Sequence, residues 1–288
     1  MRLLILSGRS GSGKSTALQA LEDLGFYCID NLPVGLLPAL LEQIEHQPME
    51  DKSGVAISID ARNTTLGLGQ FPSIFKRLIK PPIECDILYL DAAPDTLLKR
   101  FSSTRRRHPL SDGDKGLKQA IELERQLLEP IADLASLTID TTRLSLYELR
   151  DVIKLRVAGR SAQDLALQFQ SFGFKHGVPM DADLVYDVRC LPNPYWEPSL
   201  RQYTGRDQPV IDYLRQQPLV TEMQADICGF VEKWLPEFKH NNRSYLTISI
   251  GCTGGQHRSV YLAEQLTVHF KRTMHNVLVQ HRELQRTG

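Results

Sequence analysis

Eight residues near the start of the chain carry the clearest chemistry. Gly8-Arg9-Ser10-Gly11-Ser12-Gly13-Lys14-Ser15 matches the spacing G-x-x-x-x-G-K-[ST]. In that arrangement glycines let successive backbone N–H groups turn toward one phosphate chain, the lysine reaches the outer phosphates, and the hydroxyl, here Ser15, ligates Mg²⁺. Binding of ATP or GTP with magnesium is the chemistry implied.

A second constellation lies far downstream, in Gly251-Cys252-Thr253-Gly254-Gly255-Gln256-His257-Arg258-Ser259. It follows an expected strand and opens an expected helix, so backbone N–H groups and a helix N-terminus again face an anion. Arg258 adds a fork able to grip phosphate. Cys252, Thr253, Gly254, Gly255, His257, Arg258 and Ser259 are therefore candidate phosphate-binding residues. Asp187 and Arg189 end another expected strand and are candidate neighbours, with Asp187 suited to hydroxyls or an amine. A cysteine beside an arginine at a helix start has a stabilised thiolate. Here, however, Gly251 precedes it where cysteine phosphatases carry histidine, which favours binding over covalent catalysis.

Three further groups are candidates by position. Asp30, Asp60, Asp91 and Asp140 each end an expected strand, where ligands of parallel sheets bind. Of the first three, the sequence does not say which supports Mg²⁺. Asp60-Ala61-Arg62-Asn63 is the richest cluster, combining a carboxylate, a guanidinium and an amide able to read a base or ribose. Arg105-Arg106-Arg107 reads either as a lid over phosphates or as a solvated face balanced by Glu122, Glu124 and Glu129 on the next helix. Near the C-terminus, Lys271, Arg272, Arg282 and Arg286 outnumber Glu283 and are candidate RNA-phosphate contacts.

The elements that must position these groups follow from pattern. Apolar runs at 3–6, 26–29, 55–59, 87–90 and 137–139 read as strands alternating with helices. The helix after Lys14 stacks Ala17, Leu18, Leu21 and Leu24 and stops at Gly25. Ser145-Leu146-Tyr147-Glu148 is a capping box opening a helix through Leu155. Beyond Ser161 come strands at 184–189 and 246–250 and helices at 208–216 and 221–235. The fold class expected is α/β, with domains at 1–157 and 158–288.

Composition narrows the class. The 288 residues balance 34 Lys and Arg against 34 Asp and Glu, so affinity for nucleic acid must come from local patches. Five cysteines without a C-x-x-C pair fit reduced thiols rather than disulfides or zinc. Neither a leader nor a membrane span is expected, and the cytoplasm is the expected compartment.

Taken together, residues 7–15, Gly25-Phe26-Tyr27-Cys28-Ile29-Asp30-Asn31-Leu32-Pro33, Ser171-Phe172-Gly173-Phe174-Lys175-His176-Gly177 and residues 251–259 closely resemble the RapZ/YvcJ family of bacterial nucleotide-binding proteins. The resemblance spans essentially the whole chain. It implies a P-loop NTPase domain with a parallel sheet plus a second α/β, phosphofructokinase-like subdomain. Nucleotide would bind at residues 8–15, with a guanine contact at Asp60, Ala61, Arg62 and Asn63, and the second domain would sense glucosamine-6-phosphate. Enterobacterial members are homo-oligomeric adapters that bind small regulatory RNAs and present one to ribonuclease E. Their tails are denser in lysine and arginine than this one, so fewer counterions would be released here on RNA binding.

Overall fold

The computed structural model describes residues 2–46, 52–63, 65–78, 83–104, 107–111, 116–157, 165–241, 243 and 245–284. Arg105, Arg106 and Arg286 lie outside these residues, as do residues 158–164, where the domain boundary is expected. The chain divides into two compact units, Met1–Ala162 and Gln163–Gly288.

In the first unit five parallel strands, β1 (Arg2–Gly8), β2 (Phe26–Ile29), β3 (Gly54–Ser58), β4 (Glu84–Asp91) and β5 (Leu137–Asp140), lie in the order β2-β3-β1-β4-β5. Central β1 is apolar and almost wholly buried, as a parallel strand covered on both faces requires. Six helices, α1 (Lys14–Asp23), α2 (Leu37–His46), α3 (Thr65–Leu78), α4 (Pro94–Thr104), α5 (Leu117–Ala132) and α6 (Leu146–Val157), connect and flank the strands. The winding passes first to β2 and β3 on one side of β1, then to β4 and β5 on the other. The crevice beyond the end of β1 is therefore the switch point where such sheets bind ligands.

At the start of α6 the capping box forms as the sequence implies. Glu148 accepts from the Ser145 N–H at 2.7 Å, and the Ser145 hydroxyl accepts from the Glu148 N–H at 3.3 Å. Helix α3, which lacks a clear start signal in the sequence, covers the sheet through Leu68 and Phe71.

The second unit has four parallel strands in the order β7-β8-β6-β9: β6 (Ala166–Gly173), β7 (Leu184–Asp187), β8 (Tyr245–Cys252) and β9 (Val277–His281). Helices α7 (Gln208–Arg215), α8 (Pro218–His240) and α9 (Arg258–Phe270) share one core with Leu167, Phe169, Ile248 and Ile250. Strand β9 falls within the segment that the sequence presents as a basic tail. Its alternation is blurred by Gln280 and His281, which the sheet pairs with Gln170 and Ser171 of β6. No described helix is long and apolar enough to cross a membrane.

Candidate functional site

The loop at residues 8–15 forms between β1 and α1, and its conformation dictates its glycines. Gly8, Gly11 and Gly13 all have positive φ, at 145°, 84° and 107°. A Cβ on Gly8 would meet the Leu90 carbonyl oxygen, and one on Gly13 would meet the Leu149 side chain.

The carbonyls of this loop are tied back one by one. The Lys14 amine donates to Gly8 O at 2.7 Å and Arg9 O at 3.3 Å, Arg100 donates to Gly11 O at 2.9 Å, and the Thr141 hydroxyl donates to Ser12 O at 2.9 Å. The first N–H groups of α1 have no acceptor within their helix and open onto the cleft. A strand-loop-helix turn with its oxygens restrained and its amides presented is an anion cradle.

Beneath the loop lies Glu124, a residue that the sequence offers only as a counterweight to surface arginines. It is fully buried instead. Its carboxylate accepts from the Ser10 N–H at 2.8 Å and the Ser10 hydroxyl at 2.6 Å, and His108 Nε2 lies 3.1 Å away. The Leu110 N–H donates to His108 Nδ1, which puts the ring proton on Nε2, directed at Glu124. Burial pushes the Glu124 carboxyl up, but the hydrogen bonds from His108 and Ser10 outweigh it and hold the group below its ordinary value. Burial also pushes the Lys14 amine down, against the pull of Glu124 and Asp60.

The acids sort themselves by partner. Asp91 receives the buried Arg9 guanidinium at 2.5 Å, and Arg9 also donates to the Ala92 carbonyl. Arg9 thus braces the loop from behind, and Asp91 is spent on it. Asp140 accepts from Thr142 and closes its own turn. Asp30 accepts from the Ser58 hydroxyl at 2.5 Å and Asp60 from the Arg62 N–H at 2.9 Å, and both line the cleft with Ser15. One or two carboxylates, a hydroxyl and nucleotide phosphates are the usual surroundings of Mg²⁺, so these groups fit that ion.

Asn63, expected to read a base or ribose, has its amide engaged locally. It accepts from the Val34 N–H at 2.8 Å and donates to the carbonyls of Leu32 and Asp60, both at 3.3 Å. The bracket it forms joins the segment after β2 to the segment after β3. Arg62 lines the cleft and is largely exposed, 3.5 Å from Asp60. Arg107 lines it too. Arg100 and Thr141 are functional positions without a sequence signal, since each becomes relevant only through its contact with the loop.

The second constellation folds between β8 and α9. Cys252 is buried, accepts from the Gly255 N–H at 3.2 Å and faces the Ser259 hydroxyl at 3.1 Å, so the thiol shapes the turn. Arg258 is also buried. One terminal nitrogen donates to the carbonyls of Arg189 and Leu191 at 2.8 and 2.9 Å, the other reaches the Thr253 hydroxyl at 3.5 Å, and Nε has no partner. The fork expected to grip phosphate is therefore committed at one terminal nitrogen to two backbone carbonyls, with the other beside Thr253.

Asp187 and Arg189 pair with each other at 2.7 to 3.0 Å, and Arg189 stacks on Phe174 at 4.1 Å. His257 is buried, with Nε2 lacking a partner, and burial lowers its pKa. The turn carrying Lys175 folds over Thr253 and Gly254, with the Lys175 N–H donating to Thr253 O at 3.3 Å. Among the expected RNA contacts, Lys271 and Arg272 are exposed. Arg282 is not, and it pairs with Asp181 at 3.6 Å.

A parallel sheet in this order, with this loop beyond its central strand, defines a P-loop α/β protein. Comparison with known proteins then specifies it. The RapZ-like N-terminal domain matches residues 1–161 and the RapZ C-terminal domain matches residues 165–285, so the chain belongs to the RapZ family. A nucleotide-binding protein of Marinobacter nauticus is 59% identical over 285 residues, covering 99% of this chain and 97% of its own length. Another, from Hahella chejuensis, is 58% identical over 284 residues and 99% of both chains. Among solved structures, a shikimate kinase from Acinetobacter baumannii in complex with shikimate has a TM-score of 0.37 and 15% identity, over 55% of this chain and 94% of that one. A likeness that slight says nothing of activity.

The Glu124 contacts predict a pH-dependent loss. Because its folded pKa lies below the ordinary 4.5, the stabilisation is complete above that value and drains as pH falls through the folded one. Glu124→Gln should cost about 1.5–3 kcal/mol at neutral pH, the range for a hydrogen bond to a charged group. Urea unfolding of both proteins should show this gap narrowing below pH 4.5; a gap unchanged down to pH 3 would mean the carboxylate charge is immaterial.

Proposed function

We propose that the chain is a nucleotide-binding regulatory adapter of the cytoplasm. Its first unit binds ATP or GTP with Mg²⁺ at residues 8–15. Its second unit senses glucosamine-6-phosphate at residues 251–259 and binds a small regulatory RNA for processing by ribonuclease E, acting as a homo-oligomer. The observation that carries the nucleotide half is the restrained loop: its carbonyls are held by Lys14, Arg100 and Thr141 while the start of α1 faces the cleft. For the sugar phosphate, the support is the buried Arg258 guanidinium beside Thr253, whose Nε has no partner among the described residues. For RNA it is the exposed pair Lys271 and Arg272 at the end of α9, which family membership makes worth testing.

Three measurements check this reading. Lys14→Ala should weaken nucleotide binding about 10- to 150-fold, the worth of a charge-assisted hydrogen bond, as read by calorimetry. Glucosamine-6-phosphate titrated into the wild-type protein should bind, and Thr253→Val should weaken it; no heat from the wild type would end the sensor reading. In mobility shifts against salt, the double variant Lys271→Ala, Arg272→Ala should flatten the slope of log K on log salt by about 2, roughly one for each phosphate no longer neutralised. An unchanged slope would move the RNA elsewhere.

A further inference from the structure

The cleft of the first unit has two unlike ends. Phe101, Pro109, Leu144, Leu146 and Leu149 give one end apolar walls, with Arg100 and Arg107 beside them, whereas the carboxylates Asp30 and Asp60 stand at the other end with Arg62. The apolar residues follow β4 and β5 and the carboxylates follow β2 and β3, on opposite sides of β1. A nucleotide held at residues 8–15 therefore has its base suited to the apolar end and its terminal phosphate, with Mg²⁺, suited to the carboxylate end. This orientation would put Asp60 and Arg62 at the phosphate tail.

Beyond the carboxylate end opens a separate cavity of about 390 Å³. Arg62 lines both spaces, and Asn31, Val34, Asn63 and Gln70 line the cavity alone. Its floor is fixed by the Asn63 bracket to Val34, Leu32 and Asp60. Asn31 is the one non-glycine described at positive φ, 51°, and its Oδ1 is buried without a hydrogen-bond partner among the described residues. No Asp or Glu stands among the described residues lining this cavity, while Arg62 brings a cation whose ion pair to Asp60 is long at 3.5 Å.

We propose that this cavity is a second subsite, taking a small hydroxylated molecule that bears a phosphate or carboxylate alongside the nucleotide. Arg62 grips the oxyanion, and the amides of Asn31 and Gln70 address hydroxyls. The assignment rests on the nucleotide reading for its orientation but not for the cavity itself.

The test begins with calorimetry of the magnesium complex of a non-hydrolysable ATP analogue on the full chain. Inorganic phosphate and, separately, gluconate are then titrated into the saturated protein. At least one should bind, and Arg62→Met should weaken it about tenfold or more, as removal of a charge-assisted hydrogen bond does. Gln70→Trp, which fills the cavity, should abolish anion binding while leaving analogue affinity within about threefold, since Gln70 is not among the described residues that line the phosphate cleft. The proposal is overturned if neither anion binds, or if Gln70→Trp binds it as well as wild type. Should the analogue itself fail to bind, the nucleotide reading falls, and the anion titrations on the nucleotide-free protein still decide for or against the cavity by the same Gln70→Trp comparison.

Discussion

A buried carboxylate holding a backbone turn is the constraint on which the first unit depends. Glu124 lies on α5, more than a hundred residues from the loop, yet it receives both the N–H and the hydroxyl of Ser10. An unpaired carboxylate in that position would be strongly penalised. Here His108 supplies a third contact, so the charge is stabilised and the loop cannot shift without stranding it. Arg9 does the complementary work from the other side, anchoring the loop to Asp91 and Ala92. The cradle is rigid because its back is a network of charge-assisted bonds, and its front is thereby left to the backbone amides.

The second unit solves a similar problem with other means. Its loop at residues 251–259 is shaped by a buried thiol and by close packing of the Gly173 turn against Gly254, where a Cβ on Gly173 would overlap the backbone. Arg258 then ties the start of α9 to the segment after β7 through two carbonyls. One unit restrains its loop with ion pairs and the other with steric closeness, and in the second the start of α9 is itself buried.

The sequence reveals what depends on local spacing. The loop at residues 8–15, the capping box at Ser145 and Glu148, and the alternation of strands and helices all follow from patterns a few residues long. What it conceals depends on distant contacts. Glu124 looks like one of several surface acids on an amphipathic helix, and only the approach of Ser10 and His108 reveals it as buried. Choosing Asp30 and Asp60 over Asp91 likewise requires knowing where Arg9 points. Arg258 is recognisable as a phosphate ligand by its place at a helix start, but its commitment to Arg189 and Leu191 becomes visible only when β7 and β8 pair. Strand β9 escapes notice because its polar residues face other polar residues of β6, so the burial that defines it leaves no apolar alternation to read.

The tying of the loop to Arg100, Glu124 and Thr141 also bears on how the first unit folds. The groups that fix residues 8–15 follow them some 85 to 130 residues later in the chain. Strands β3 and β4 precede all of those groups in the chain, so β1 can be paired while the glycine-rich turn still lacks the contacts that hold its positive-φ geometry. Parallel pairing of this kind closes long chain segments and is intrinsically slow. The glycine-rich turn is thus among the last parts of the first unit to acquire its shape, although it precedes in the chain every group that fixes it.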